Sequence, residues 1–180
     1  MADRYEVRFS GSGGQGIILA GVILAEAASL YENKNAIQTQ SYGPEARGGA
    51  SESEVIISDS YIDYPKTLSI DALVCLTQEA CNSYTKDLKK NGILIVDSDF
   101  VKDVPGNGFK VYRLPFSRTA LEGIGKSFVV NIVALGALVE ITKTVSREAI
   151  EKAVLARVPK GTEALNRKAL SLGFEMAQKT

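Results

Sequence analysis

With 180 residues, 45% of them hydrophobic and 23% charged, the chain has the size and balance of one globular domain. Lys+Arg and Asp+Glu stand at 21 each, so no net field favours nucleic acid or an anionic membrane. There is no histidine, which removes His-based acid–base catalysis, Ser/His and Cys/His nucleophile pairs and His metal sites together.

Tyr5, Val7 and Phe9 alternate with Glu6, Arg8 and Ser10, a period-two strand that runs into Gly11-Ser12-Gly13-Gly14-Gln15-Gly16. A helix is predicted from Gly14 to Tyr31, with Gly16, Ala20 and Ala27 near one face where small side chains allow close seating on a sheet. A second strand is expected at about Ala36 to Gln40, followed by the loop Ser41-Tyr42-Gly43-Pro44-Glu45-Ala46-Arg47-Gly48-Gly49 and a third strand from Ser51 to Ser58. Leu73 to Leu76 and Ile93 to Val96 are continuous apolar runs, as strands covered on both faces are. Between them a helix is predicted from Gln78 to Lys90, with Asn91-Gly92 as its stop. After a turn at Pro105 to Gly108, a strand from Phe109 to Leu114 precedes three helices. These span about Ser127 to Ile141, Arg147 to Val158 behind Ser146, and Glu163 to Lys179 behind Thr162.

This order predicts an α/β fold: a single three-layer domain with a Rossmann-like variant sheet and a helical C-terminal third. The sheet is read as a variant because a central first strand should be apolar on both faces, yet Glu6 and Arg8 alternate into it. The start, Met-Ala-Asp-Arg-Tyr-Glu, lacks the basic and apolar regions of a signal peptide. The longest apolar segment, Phe128 to Ile141, is too short to span a bilayer. A cytoplasmic chain is expected. Cys75 sits in an apolar run and Cys81 in a predicted helix; neither has zinc or iron–sulfur spacing, and both read as reduced core thiols.

Gly11 to Gly16 has the G-x-G-x-x-G spacing that lets backbone amides approach a phosphate at a helix N-terminus. Ser12 and Gln15 are placed either to add donors to an anion or to cap the helix. A dinucleotide site needs a carboxylate roughly 20 residues on, at the tip of the second strand. Here that strand, Ala36-Ile37-Gln38-Thr39-Gln40, carries none. Arg47, flanked by Gly48-Gly49, suits phosphate, carboxylate or a partner's acid, or else pairs with Glu45; Tyr42 stacks on a ligand ring or packs. Asp97 and Asp99 follow a buried strand, where acids are catalytic, ligate metal, or simply cap the turn. Asn131, inside an apolar helix, needs a hydrogen-bond partner, internal or across an interface. No nucleophile–base pair or metal cluster is visible, as expected of one part of a larger enzyme.

Gly11 to Ile17 together with Gln40 to Ser51 resemble the gamma subunit of 2-oxoacid:ferredoxin oxidoreductases. Ser53 to Ser58, Asp71 to Glu79, and Asn131 with Ala134-Leu135-Gly136 continue the match across nearly the whole chain, and the second loop looks most like the 2-oxoglutarate (2-oxoglutarate synthase) type. The resemblance implies a pyruvate/ketoisovalerate oxidoreductase gamma-type catalytic domain over residues 1–180. It implies a hetero-oligomeric enzyme that oxidatively decarboxylates a 2-oxoacid to its acyl-CoA and reduces ferredoxin. Thiamine diphosphate and [4Fe-4S] clusters are then carried by partner alpha, beta and ferredoxin-like delta subunits, with coenzyme A as co-substrate. The chain alone is expected to be inactive, to hold no metal and to meet neither nucleic acid nor membrane. Its cofactor-facing residues would be Gly11, Ser12, Gly13, Gly14, Gln15, Gly16, Tyr42, Arg47 and Gly48. Two other readings stand beside this one: a purely structural assembly subunit, and a free-standing nucleotide-binding oxidoreductase.

Overall fold

A computed structural model describes residues 4–42 and 50–180. The strands are β1 (Arg4–Ser12), β2 (Asn35–Tyr42), β3 (Ala50–Ser58), β4 (Ile70–Cys75), β5 (Leu88–Asp97) and β6 (Lys110–Leu114). The helices are α1 (Ile17–Tyr31), α2 (Gln78–Tyr84), α3 (Phe116–Ile124), α4 (Val130–Thr142), α5 (Arg147–Arg157) and α6 (Glu163–Gln178). Single 3₁₀ turns, Thr85–Asp87 and Ser127–Val129, follow α2 and precede α4. All six strands form one sheet in the order β2-β3-β1-β4-β5-β6. The β1–β4–β5–β6 side is parallel, whereas β3 is antiparallel to both of its neighbours.

Side-chain alternation sorts the strands between two faces. Val7, Phe9, Ala72, Val74 and Ile95 join α1 and α3 to α6 in the larger core, while Leu73, Cys75, Leu94 and Val96 pack with Ala80 and Cys81 of α2. The three-layer expectation holds. α4 is buried nearly all round, and α1 at eight of its fifteen positions, because each lies between the sheet and other helices. α4 and α6 meet backbone to backbone: a Cβ on Gly136 would strike the Leu170 carbonyl, and one on Gly173 the Val133 carbonyl.

The irregular polar pattern of β1 has a local explanation. Glu6 accepts the Leu68 and Ser69 amides at 2.7 and 2.8 Å and Arg4 Nε at 2.7 Å. Arg8 donates to Glu54 and to Asp87, lies 3.2 Å from a Glu52 oxygen, and stacks over the Tyr84 ring. Buried charges are tolerated when paired in this way, so a central strand carries them.

Three readings need correction. The helix predicted to Lys90 stops at Tyr84, and Leu88 to Lys90 already belong to β5. Asn91-Gly92 does not end a helix: Asn91 has φ 64° inside β5, where the pairing with β4 slips between Ile70 and Ala72. α3, absent from the sequence reading, starts after Pro115 and ends on left-handed Gly125. At the other termini, the Ser146 hydroxyl caps α5 through the Ala149 amide at 3.1 Å, but Thr162 gives α6 no side-chain cap. No helix among the described residues is long and apolar enough to cross a membrane.

Candidate functional site

The glycine loop joins the C-terminal end of β1 to α1, at the sheet edge where open α/β folds gather their ligands. Gly16 adopts φ 71° as the N-cap of α1, a left-handed conformation that glycine takes without strain. Its carbonyl accepts Asn131 Nδ2 at 3.1 Å and the Ala20 amide at 3.0 Å. A Cβ here would also collide with Asn131. Asn131 therefore finds its partner inside the domain. The loop partly closes on itself, because Gln15 Oε1 accepts the Ser12 amide at 2.8 Å. Ser12 thus has no amide left for an anion. Gly13 and Gly14 are exposed, and the first amides of α1 have no intrahelical acceptor.

Strand register brings the two sequence motifs to one place. Gly11 lies opposite Ser51 and Ser12 opposite Ala50, while Tyr42 lies opposite Ser51 in the β2–β3 pair. The end of β2 and the start of β3 therefore lie at the same sheet edge as the glycine loop. Arg47 and Gly48 lie outside the described residues, as does the side chain of Tyr42. The Ser10 hydroxyl fastens this corner to the Ser51 carbonyl at 3.0 Å.

On the other side of the loop lies a cleft of about 690 Å³, lined by Gly13, Gly14 and Gln15 with Phe100, Arg118 and Phe128 among others. Phe100 follows β5 and Arg118 sits in the first turn of α3, so the ends of three parallel strands surround it. Phe100, Leu121 and Phe128 are each more than half exposed there. Sequence reading missed this side because it missed α3, although Pro115 and Gly125 bracket that helix as start and stop signals.

Asp97 and Asp99 have structural roles. Asp97 is fully buried, and burial pushes its carboxyl up against the stabilising donors that surround it. It accepts Ser117 Oγ at 2.6 Å and the Ser117 and Asp99 amides at 3.1 Å. Asp99 takes the Arg118 amide at 2.7 Å and its guanidinium at 2.9 Å. Together they anchor α3 to the end of β5. Among the described residues no three His, Cys, Asp or Glu side chains converge as metal ligands would.

The topology also answers the dinucleotide reading. In that fold the second strand lies beside the first and its tip reaches the ribose. Here β3 intervenes and β2 is the outer edge, so no residue at its tip could play that part.

The family profile described as pyruvate ferredoxin/flavodoxin oxidoreductase matches residues 6–176. The chain belongs to this family. It is 56% identical to the 2-oxoglutarate synthase subunit KorC of Methanocaldococcus jannaschii, over 97% of this chain and 95% of that one. Identity to the pyruvate synthase subunit PorC of the same organism is 32%, over 97% of this chain and 98% of the other. The crystal structure of the keto/oxoacid ferredoxin oxidoreductase gamma subunit from Geobacter sulfurreducens superposes with a TM-score of 0.92 at 56% identity, covering 99% of this chain and 98% of that one.

Proposed function

We propose that this family member is the gamma-type subunit, over residues 1–180, of a cytoplasmic 2-oxoacid:ferredoxin oxidoreductase of the 2-oxoglutarate type. The assembled enzyme would oxidatively decarboxylate 2-oxoglutarate to its acyl-CoA and reduce ferredoxin. The observation that carries the reading is the 56% identity, end to end, to a 2-oxoglutarate synthase subunit, against 32% to a pyruvate synthase subunit of the same organism. Thiamine diphosphate and the [4Fe-4S] clusters are assigned to the alpha, beta and ferredoxin-like delta partners.

Coenzyme A would approach the edge where the glycine loop, the start of β3 and the 690 Å³ cleft adjoin. The residues fit such a ligand: exposed Gly13 and Gly14 offer close backbone approach, the α1 N-terminus favours phosphate, and Phe100 and Phe128 offer apolar surface. Coenzyme A supplies the thiol that accepts the acyl group. This chain's residues would hold and orient the carrier, Arg47 pairing with its phosphate. The self-closed Gln15–Ser12 bond favours a second reading, in which the loop seats a partner's backbone and serves assembly alone.

One experiment tests both. The tagged chain is recovered from its native cytoplasm and the eluate assayed for coenzyme A-dependent viologen reduction with several 2-oxoacids. Co-eluting larger subunits with highest activity on 2-oxoglutarate are expected. A partner-free chain that binds NAD(P) or flavin would overturn the assignment. In the same complex, Arg47→Ala should raise the apparent KM for coenzyme A, whereas the assembly reading expects lost subunits with an unchanged KM.

A further inference from the structure

Three lysines gather where β5 begins. α2 stops at Tyr84, the 3₁₀ turn Thr85–Asp87 follows, and Lys86, Lys89 and Lys90 line a cleft of about 530 Å³ that the 105–109 segment closes on its other side. Successive residues of a regular strand point to opposite faces. Lys89 and Lys90 nevertheless border one cleft, because β5 is irregular there: its pairing with β4 slips between Ile70 and Ala72, and Asn91 is left-handed at φ 64°. Irregularities of this kind re-aim side chains. The Asn91 amide donates to the Gly108 carbonyl at 2.6 Å, which ties the irregular stretch to the opposite wall. Among the described residues no Asp or Glu lines the cleft. Asp87 is turned away to Arg8, at 2.6 Å, and of the three lysines Asp71 holds Lys89 alone, at 2.7 Å. Lys86 and Lys90 have no carboxylate at ion-pair distance among the described residues.

We propose that this cleft binds a phosphate monoester of mononucleotide size. Such a phosphate carries a charge of about −1.5 to −2 at pH 7, which the two unpaired ammonium groups of Lys86 and Lys90 match; Lys89 is shared between it and Asp71. Gly106 and Gly108, both at φ 85°, form a bare backbone wall, and a Cβ on Gly108 would meet nothing within 4 Å. Leu88, Pro105 and Phe109 supply an apolar side for the body of the ester. A partner's carboxylate side chain would satisfy the lysines but leave that side uncovered, whereas a base covers it. The volume falls within the roughly 300–1,000 Å³ of small-molecule sites, and inorganic phosphate alone would leave most of it unfilled. Because β5 runs parallel to β4 and β1, its first residues lie at the sheet edge opposite the glycine loop. The ester therefore binds whether or not that loop is engaged.

The test titrates AMP into the full chain by calorimetry at low salt, with adenosine, inorganic phosphate and a short polyglutamate as separate probes. Expected is one AMP per chain, bound about tenfold or more tightly than adenosine or inorganic phosphate. Lys86→Ala combined with Lys90→Ala should weaken AMP by about tenfold or more. Tm should not fall, because both side chains are exposed. Lys168→Ala, at an exposed position of α6, should leave AMP affinity unchanged. Absence of saturable AMP binding would overturn the proposal. So would an affinity untouched by the double substitution, which would put the nucleotide elsewhere on the chain, or an equal loss with Lys168→Ala, which would make the attraction unspecific. Equal affinity for inorganic phosphate, or tighter binding of polyglutamate, would overturn it as well.

Discussion

Asn131 shows what one side chain decides. From α4 it holds the carbonyl of Gly16, a residue 115 positions away in sequence. Its need for a partner was legible from an amide in an apolar helix; the partner was not, since only the fold brings the two together. Asn131→Ala removes that donor from a part-buried carbonyl and should cost about 1–3 kcal/mol, read as a fall in Tm. Glu52 decides something different. Burial, first, and then the nearby Glu54 and Asp87 carboxylates raise its carboxyl against the lowering effect of Arg8 and Tyr84. A carboxyl raised in the folded state binds protons more tightly there than when unfolded. Its ionisation therefore costs stability above the folded value, and that cost fades as pH falls into the ordinary glutamate range. Glu52→Gln should melt higher than the parent at pH 7, with the gap closing as the medium is made acidic; a gap that widens on acidification would contradict this.

Among the elements, the strands announced themselves and the segment after β4 did not. Buried runs such as Leu73 to Cys75 and Ile93 to Val96 need no context to be recognised. The composition of Gln78 to Lys90 permits one helix, yet pairing of Leu88 with Ile70 draws its end into the sheet. Sheet pairing overrode a weak local preference. The helical tail was legible as helices, but the reason for Gly136 and Gly173 lay in the crossing of α4 and α6, where each faces the other helix's carbonyl. Gly173→Ala should destabilise the chain by about 1–3 kcal/mol through overpacking, checked by denaturant unfolding with an unchanged m-value.

At the scale of the molecule, the residues of both loop motifs were readable in one dimension, and the placing of the strands that flank the second beside the first was not. Only the antiparallel placement of β3 against β1 sets Ala50 opposite Ser12. The aromatic side of the cleft was invisible for a related reason, because Phe100, Arg118 and Phe128 come from three separate places: the stretch after β5, α3 and the 3₁₀ turn before α4. Phe128 is 58% exposed, so Phe128→Ser should leave the isolated chain's stability within about 0.5 kcal/mol. If the cleft is a working surface, the same change should lower subunit recovery or raise the apparent KM for coenzyme A in the assembled enzyme. The glycine loop, finally, is clamped at both ends, by Gln15 on Ser12 and by Asn131 on Gly16. Between the clamps only Gly13 and Gly14 have open space around them. Immobilising a residue's backbone costs roughly 1–2 kcal/mol of conformational entropy. A partner that docks here meets a loop already fixed at both ends, so most of that entropic cost was met when the chain folded.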